Sequence, residues 1–168
     1  MTDALVAFLK ARLYDDEHWA LTVSLESRPE TWEPNHENGA VLTVAGEQVA
    51  TGTRHSINDL EHIARQDPAR TLREVEAKRQ LLDAALTDRH HVSADQYETC
   101  PRATAADGLD ENSVAALDAL NDERRQENGL EPECWGSCGR DARTRRTLEL
   151  LALPYSDHPG YEGALTGG

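Results

Sequence analysis

Large aromatic side chains are scarce in this sequence of 168 residues. It holds one Phe, three Trp and four Tyr, together with a single Met. Hydrophobic residues of all kinds make up 38% of the chain, so Leu, Ala and Val must supply most of the core. A chain of this length can still bury a core without disulfides. The composition therefore predicts a modest, mostly helical body.

Basic residues are also few, because 17 Lys and Arg stand against 31 Asp and Glu and give a formal net charge of −14. Such a charge repels phosphate backbones and anionic membranes. We therefore expect no general nucleic-acid binding and no membrane binding. Acidity usually serves solubility. The alternative is an acidic DNA mimic or inhibitor, which would need carboxylates in rows at phosphate-like spacing.

Targeting signals and familiar catalytic motifs are missing as well. The first ten residues lack a signal-peptide pattern, and no apolar run reaches membrane-spanning length. We therefore expect a cytoplasmic protein, in which three cysteines are thiols or metal ligands rather than a disulfide framework. No phosphate-binding loop, Gly-x-Ser-x-Gly elbow or His-Glu-x-x-His helix occurs. Only Cys134 or Cys138 remains as a candidate nucleophile, so an enzyme is not the favoured interpretation.

Apolar spacing predicts the secondary structure of the first half. A helix capped by Thr2 occupies residues 1–20 and ends after the acidic run at 15–17. Residues 21–52, in which Leu21, Val23 and Leu25 alternate with polar residues, predict a short hairpin or meander. Residues 56–86 predict two helices, the first opened by a capping box from Ser56 to Asp59 and the second by Asp67 before Pro68.

The second half is less regular. Residues 87–133 read as a variable excursion that includes a helix capped by Asn112, and residues 134–168 as a cysteine turn, a last helix at Asp141–Leu151 and an extended tail. The prediction is one α+β domain over residues 1–168. It is mostly helical, with a short antiparallel hairpin or meander after the first helix.

Two segments, His62–Arg79 and Leu150–Tyr161, resemble a family of small uncharacterised proteins from actinobacteria and their phages. Members share an N-terminal helix, a Trp such as Trp32 ahead of the hairpin, and a cysteine-bearing region before the final helix. The family has no assigned activity. The resemblance therefore implies only a context, an intracellular accessory protein of a host, a phage or an integrated element. After Tyr161 this chain runs into glycine, where the family has an acidic and aromatic stretch.

Cysteine and histidine spacing predicts a metal site. Cys134 and Cys138 enclose a turn that contains Gly136, which allows both sulfurs to face one ion. Cys100 would be a third ligand, with His90 or His91 as the fourth. The expected cofactor is a structural zinc. Unligated thiols and a disulfide are the alternatives, and an iron–sulfur cluster is disfavoured because closely spaced cysteines are lacking.

A second group of polar residues could bind an anion. His62, Arg65, Asp67 and Arg70, with Glu74, fall near one helical corner, where arginines could hold a nucleotide or another anion. The alternative is that Asp67 caps a helix and the arginines pair with carboxylates. In the tail, neighbours such as Asp157 and His158 point to opposite sides of an extended chain. We therefore expect that segment to dock through Tyr155 and Tyr161 rather than to catalyse.

These features favour a non-enzymatic intracellular accessory or regulatory protein that acts through a protein partner and is stabilised by zinc. The alternative is a protein that binds or sequesters a small anion, or a small enzyme, using His62 and the nearby arginines. An acidic mimic of DNA is a further alternative.

Overall fold

The computed structural model describes residues 2–23, 31–51 and 57–167. Six α-helices and three strands follow one another in these ranges: α1 Thr2–Val23, β1 Trp32–Asn35, β2 Ala40–Thr43, β3 Gln48–Thr51, α2 Ile57–Ala64, α3 Pro68–Leu86, α4 Glu111–Asn128, α5 Arg140–Ala152 and α6 Tyr161–Thr166. Short 3-10 turns occupy Ala105–Asp107 and Leu153–Tyr155. The predicted class, a mostly helical α+β protein with an antiparallel meander after the first helix, is confirmed.

The chain divides into two compact units, Met1–Leu81 with Pro154–Gly168, and Leu82–Leu153. The boundary falls inside α3, so this helix contributes to both. That residues 1–168 form one domain stays a prediction. No helix in the described ranges is both long and apolar enough to cross a membrane.

In the first unit, the small sheet packs on α2. The three strands form an antiparallel meander in the order β1-β2-β3. Val41 of β2 is fully buried against Leu60 and Ala64 of α2, with Trp32 beside them. Gly46, with φ at +84°, makes the turn into β3 because this backbone region favours glycine.

The helix α1 is longer than predicted. It does not end after the acidic run but continues to Val23, so Leu21 and Val23 are helical rather than part of a strand. Leu25 and Ser56 lie outside the described residues. Each acidic side chain of the run has a partner that offsets its charge. Asp15 pairs with Arg12 at 2.9 Å, and Glu17 accepts two bonds from Arg79 at 2.6 and 2.8 Å.

The segment after α5 is not extended. Leu153–Tyr155 forms a 3-10 turn and Tyr161 begins α6. Pro154 fits the turn because its fixed φ suits helical backbone and it has no N–H to satisfy. Tyr155 donates a hydrogen bond to Asp16 Oδ2 at 2.6 Å, and the rings of Tyr155 and Tyr161 meet the Phe8 ring edge-on. These contacts agree with the prediction that both tyrosines dock the tail.

The start of α3 follows the prediction. Pro68 is its first residue, and Asp67 Oδ1 accepts the Arg70 N–H at 2.5 Å as the N-cap. Further along this helix, Val75 and Leu82 are buried.

In the second unit, a small core gathers around two cysteines. Cys100, Ala103, Leu117 and Cys138 are buried together, with Trp135 packed against them. The helix α4 begins after Asp110, whose carboxylate caps Ser113 N at 2.7 Å. Asn112, which we expected to be the cap, lies inside the helix, and the polar stretch after Asn121 is helical as far as Asn128.

Candidate metal centre

Three segments of the second unit bring the cysteines and one histidine together. His90 lies in the stretch that follows α3, and Cys100 ends the next loop, just before Pro101. Cys134 and Cys138 bracket the turn that leads into α5. Cys100 N donates to His91 O at 3.0 Å, which holds the first two segments side by side. Residues distant in sequence therefore meet at one point.

The ligand atoms of His90, Cys100, Cys134 and Cys138 all lie within 4.8 Å of one another. His90 Nδ1 is 3.4 Å from Cys100 Sγ and 3.7 Å from Cys138 Sγ. Around a tetrahedral zinc, ordinary bond lengths place nitrogen and sulfur about 3.6 Å apart and two sulfurs about 3.8 Å apart. The four ligand atoms are thus spaced almost as they would be around one tetrahedral ion. The widest separation between two of them exceeds the ideal sulfur–sulfur distance by about 1 Å.

Burial keeps the group away from water. Cys100 is fully buried, Cys138 is buried, and the side chain of His90 is only 7% exposed. Cys134 is half-buried and packs against the same core as Trp135. A buried set of thiols and imidazole with no bound cation is poorly solvated, which favours either neutral thiols or a bound metal.

The backbone around Cys138 favours its thiolate. Burial acts to raise the pKa of Cys138, but N–H groups of His91 and Arg140 and the ring of His90 outweigh it and lower the pKa to about 6. The bond from His91 N measures 3.2 Å. Arg140 is the first residue of α5, whose N-terminal N–H groups favour negative charge. At Cys100 burial is the largest influence, and it raises the pKa of the thiol to about 11.

Outside the ligands, two carboxylates lie next to His90. Its backbone N donates to Asp107 Oδ1 at 2.7 Å. Its ring Nε2 lies 3.6 Å from Asp141 Oδ1. Burial acts to raise the pKa of Asp107, but the N–H groups of His90 and Thr104 outweigh it and lower the pKa.

A family model described as "family of unknown function (DUF6221)" matches residues 2–164. The chain belongs to this family. No curated protein and no solved structure matches it. What can be said about this DUF6221 protein therefore depends on its own residues.

Of the five predicted metal ligands of this DUF6221 protein, the structure brings four together. His91 is the exception among the described residues, because its side chain is exposed and only its backbone N reaches Cys138 Sγ. The surrounding residues Asp107 and Asp141 were not predicted. Asp141 follows Cys138 closely in sequence, but nothing in the sequence connects it with His90.

The predicted anion site is occupied by internal ion pairs. Arg65 pairs with Glu61 at 3.6 Å, and Arg70 pairs with Glu74 at 2.6 Å. Asp67 is buried as the N-cap of α3 and His62 is exposed. Ligand binding at this corner stays a prediction, and the geometry gives the arginines carboxylate partners of their own.

In the tail, His158 and Asp157 make no catalytic arrangement among the described contacts. His158 Nδ1 accepts the Gly160 N–H at 3.0 Å, and its ring packs 5.4 Å from the Phe8 ring. Asp157 is exposed. One of the two ring nitrogens of His158 is thus engaged in closing a turn.

Proposed function

We propose that this chain is a non-enzymatic accessory protein that acts through protein contacts and whose second unit is stabilised by one structural zinc ion. The ion would be held by His90, Cys100, Cys134 and Cys138. The observation that carries the proposal is the convergence of these four ligand atoms within 4.8 Å.

The ligand set argues for zinc. Three thiolates and an imidazole are donors typical of structural zinc sites, whereas Mg²⁺ and Ca²⁺ prefer oxygen. Ligand atoms this close surround a single ion, whereas the four protein ligands of an iron–sulfur cluster are spread over two or more irons. The complex would carry a net negative charge, which the N-terminus of α5 favours.

The same set argues against catalysis by the metal. A catalytic zinc keeps one coordination position for water or substrate, with three protein ligands. Here the protein supplies four donors, and the core around Cys100 and Leu117 covers the site. A zinc ion at this site would therefore stabilise the fold rather than activate water.

Recognition of a partner would use surface side chains. Tyr14 and Trp19 on α1 are 62% and 66% exposed, and the His18 ring stacks with Tyr14. Tyrosine and tryptophan are the side chains that most often anchor protein interfaces. We expect a cytoplasmic location, because thiolate ligands persist where thiols stay reduced.

The test is elemental analysis of protein purified without a metal-affinity tag, combined with thiol titration and thermal denaturation. We expect about one zinc per chain, as a structural site of four protein ligands binds, with all three thiols protected in the native state. A strong chelator should lower the Tm sharply and added zinc should restore it, because metal binding is coupled to folding. Metal-free protein with an unchanged Tm would overturn the proposal.

A further inference from the structure

We propose that Asp141 is the positioning residue of this centre. It would turn the His90 ring so that Nδ1, not Nε2, binds the metal, while Arg102 and Arg140 hold the carboxylate in place. This inference rests on the proposed zinc site and concerns how that site is tuned.

The two ring nitrogens of His90 face different surroundings. Nδ1 lies 3.4 Å from Cys100 Sγ and 3.7 Å from Cys138 Sγ. Nε2, on the other side of the ring, lies 3.6 Å from Asp141 Oδ1. That separation is slightly longer than a hydrogen bond, and a small rotation of the His90 ring would close it. A neutral imidazole that binds metal through Nδ1 carries its proton on Nε2, and Asp141 can accept a hydrogen bond from this N–H group.

Asp141 is itself fixed on both oxygens. Arg102 Nη1 bonds Asp141 Oδ2, and Arg140 Nη1 reaches Oδ1 at 3.1 Å. Arg140 is anchored in turn, since its Nε donates to Asp88 O at 2.9 Å and its Nη2 to Leu86 O at 3.3 Å. The carboxylate therefore has little freedom to leave the ring.

The main chain of His90 is held independently of its ring. Its N–H donates to Asp107 Oδ1, and Asp107 Oδ2 accepts the Thr104 N–H and hydroxyl at 2.8 and 3.1 Å. With the backbone fixed, the orientation of the ring depends on its side-chain torsions. Asp141 is the carboxylate placed to select one orientation. Such outer partners of metal-binding histidines typically contribute about 10- to 100-fold in metal affinity.

The experiment compares zinc affinity in the wild type, Asp141→Asn and Asp122→Asn by competition with a chromophoric chelator. Asp122 is a matched control, because it is an exposed carboxylate of the same unit paired with Arg125 at 2.5 Å. Asp141→Asn should weaken zinc binding by about 10- to 100-fold, while Asp122→Asn leaves it unchanged. Arg102→Gln, which frees one oxygen of Asp141, should cause a smaller loss in the same direction. Equal affinities in all variants would overturn the inference.

A second readout does not depend on stability. In zinc-bound wild-type protein, the ¹⁵N chemical shifts of the His90 ring should show Nδ1 bound to metal and Nε2 protonated. Metal on Nε2 would overturn the inference, even with zinc bound tightly. If Asp141→Asn does not fold, this spectrum and the Arg102→Gln affinity decide the matter. A wild-type protein that binds no zinc overturns the proposed function itself, which is a distinct outcome.

Discussion

Two adjacent histidines stand in opposite surroundings, and this contrast is the sharpest feature at the scale of single residues. The side chain of His90 is 7% exposed and faces two sulfurs. The side chain of His91 is exposed, and only its main-chain N–H contacts Cys138. Because any residue but proline supplies that N–H, the side chain of His91 is dispensable for the site.

We expect His90→Ala to remove one of four ligands and with it most of the zinc affinity. The variant should melt near the Tm of chelated wild-type protein, because metal binding is coupled to folding of the site. His91→Ala should keep full zinc occupancy and change the free energy of unfolding by less than about 0.5 kcal/mol, as is usual for surface substitutions. Zinc content and thermal melting of both variants check this. Loss of zinc in His91→Ala with retention in His90→Ala would reverse the assignment.

At the scale of elements, the junction between the cysteine turn and α5 depends on one glycine. Gly139 precedes the first residue of α5 and has φ at +65°. A Cβ at this position would lie 3.2 Å from Arg143 Nη1 and 3.5 Å from Gly136 O. The backbone of this residue sets the direction in which α5 leaves Cys138, whose sulfur receives the N–H of Arg140.

Gly139→Ala should therefore lower the free energy of unfolding of the zinc-bound protein by about 1–2 kcal/mol, the cost of left-handed backbone for a residue with a Cβ. Gly136→Ala is the matched control in the same turn. A Cβ there meets no atom within 4 Å, and its φ is not in the left-handed region. We expect that control to change stability by less than about 0.5 kcal/mol. Equal melting shifts in the two variants would contradict the role given to Gly139.

Local patterns predicted the elements whose causes are local. Asp67 before Pro68 marked the start of α3, because capping and a fixed proline φ act within one turn. The length of α1 was missed because part of its acidic run is stabilised by partners that are distant in sequence. Asp16, for example, binds Tyr155 at a separation of 139 residues. No local pattern contains that information.

In the candidate site, too, the local features were predicted and the long-range contacts were not. Cys134 and Cys138 lie in one turn, so their spacing indicated that both could bind one ion. Spacing did not indicate the choice of His90 over His91 or the role of Asp141. Both depend on how the segment after α3 lies against the start of α5, through bonds such as Arg140 to Asp88 O. Such contacts arise only when the chain has folded.

At the scale of the whole molecule, the metal ligands are unevenly distributed. All four belong to the unit Leu82–Leu153, together with Asp107 and Asp141. The other unit has a core of its own, with Leu5, Leu9 and Leu13 buried along α1 and Val41 buried under α2. Zinc should therefore matter most for the stability of one part of the chain.

Hydrogen exchange followed by mass spectrometry, with and without chelator, tests this uneven dependence. Amide protection in α4 and α5 should fall on chelation, because the core that joins Leu117 to Cys100 and Cys138 loses its cross-link. Protection in α1 should persist, since all four ligands belong to the other unit. Zinc returned to the sample should restore the original pattern. Equal loss of protection in α1 and α5 would instead mean that the two units unfold as one cooperative body.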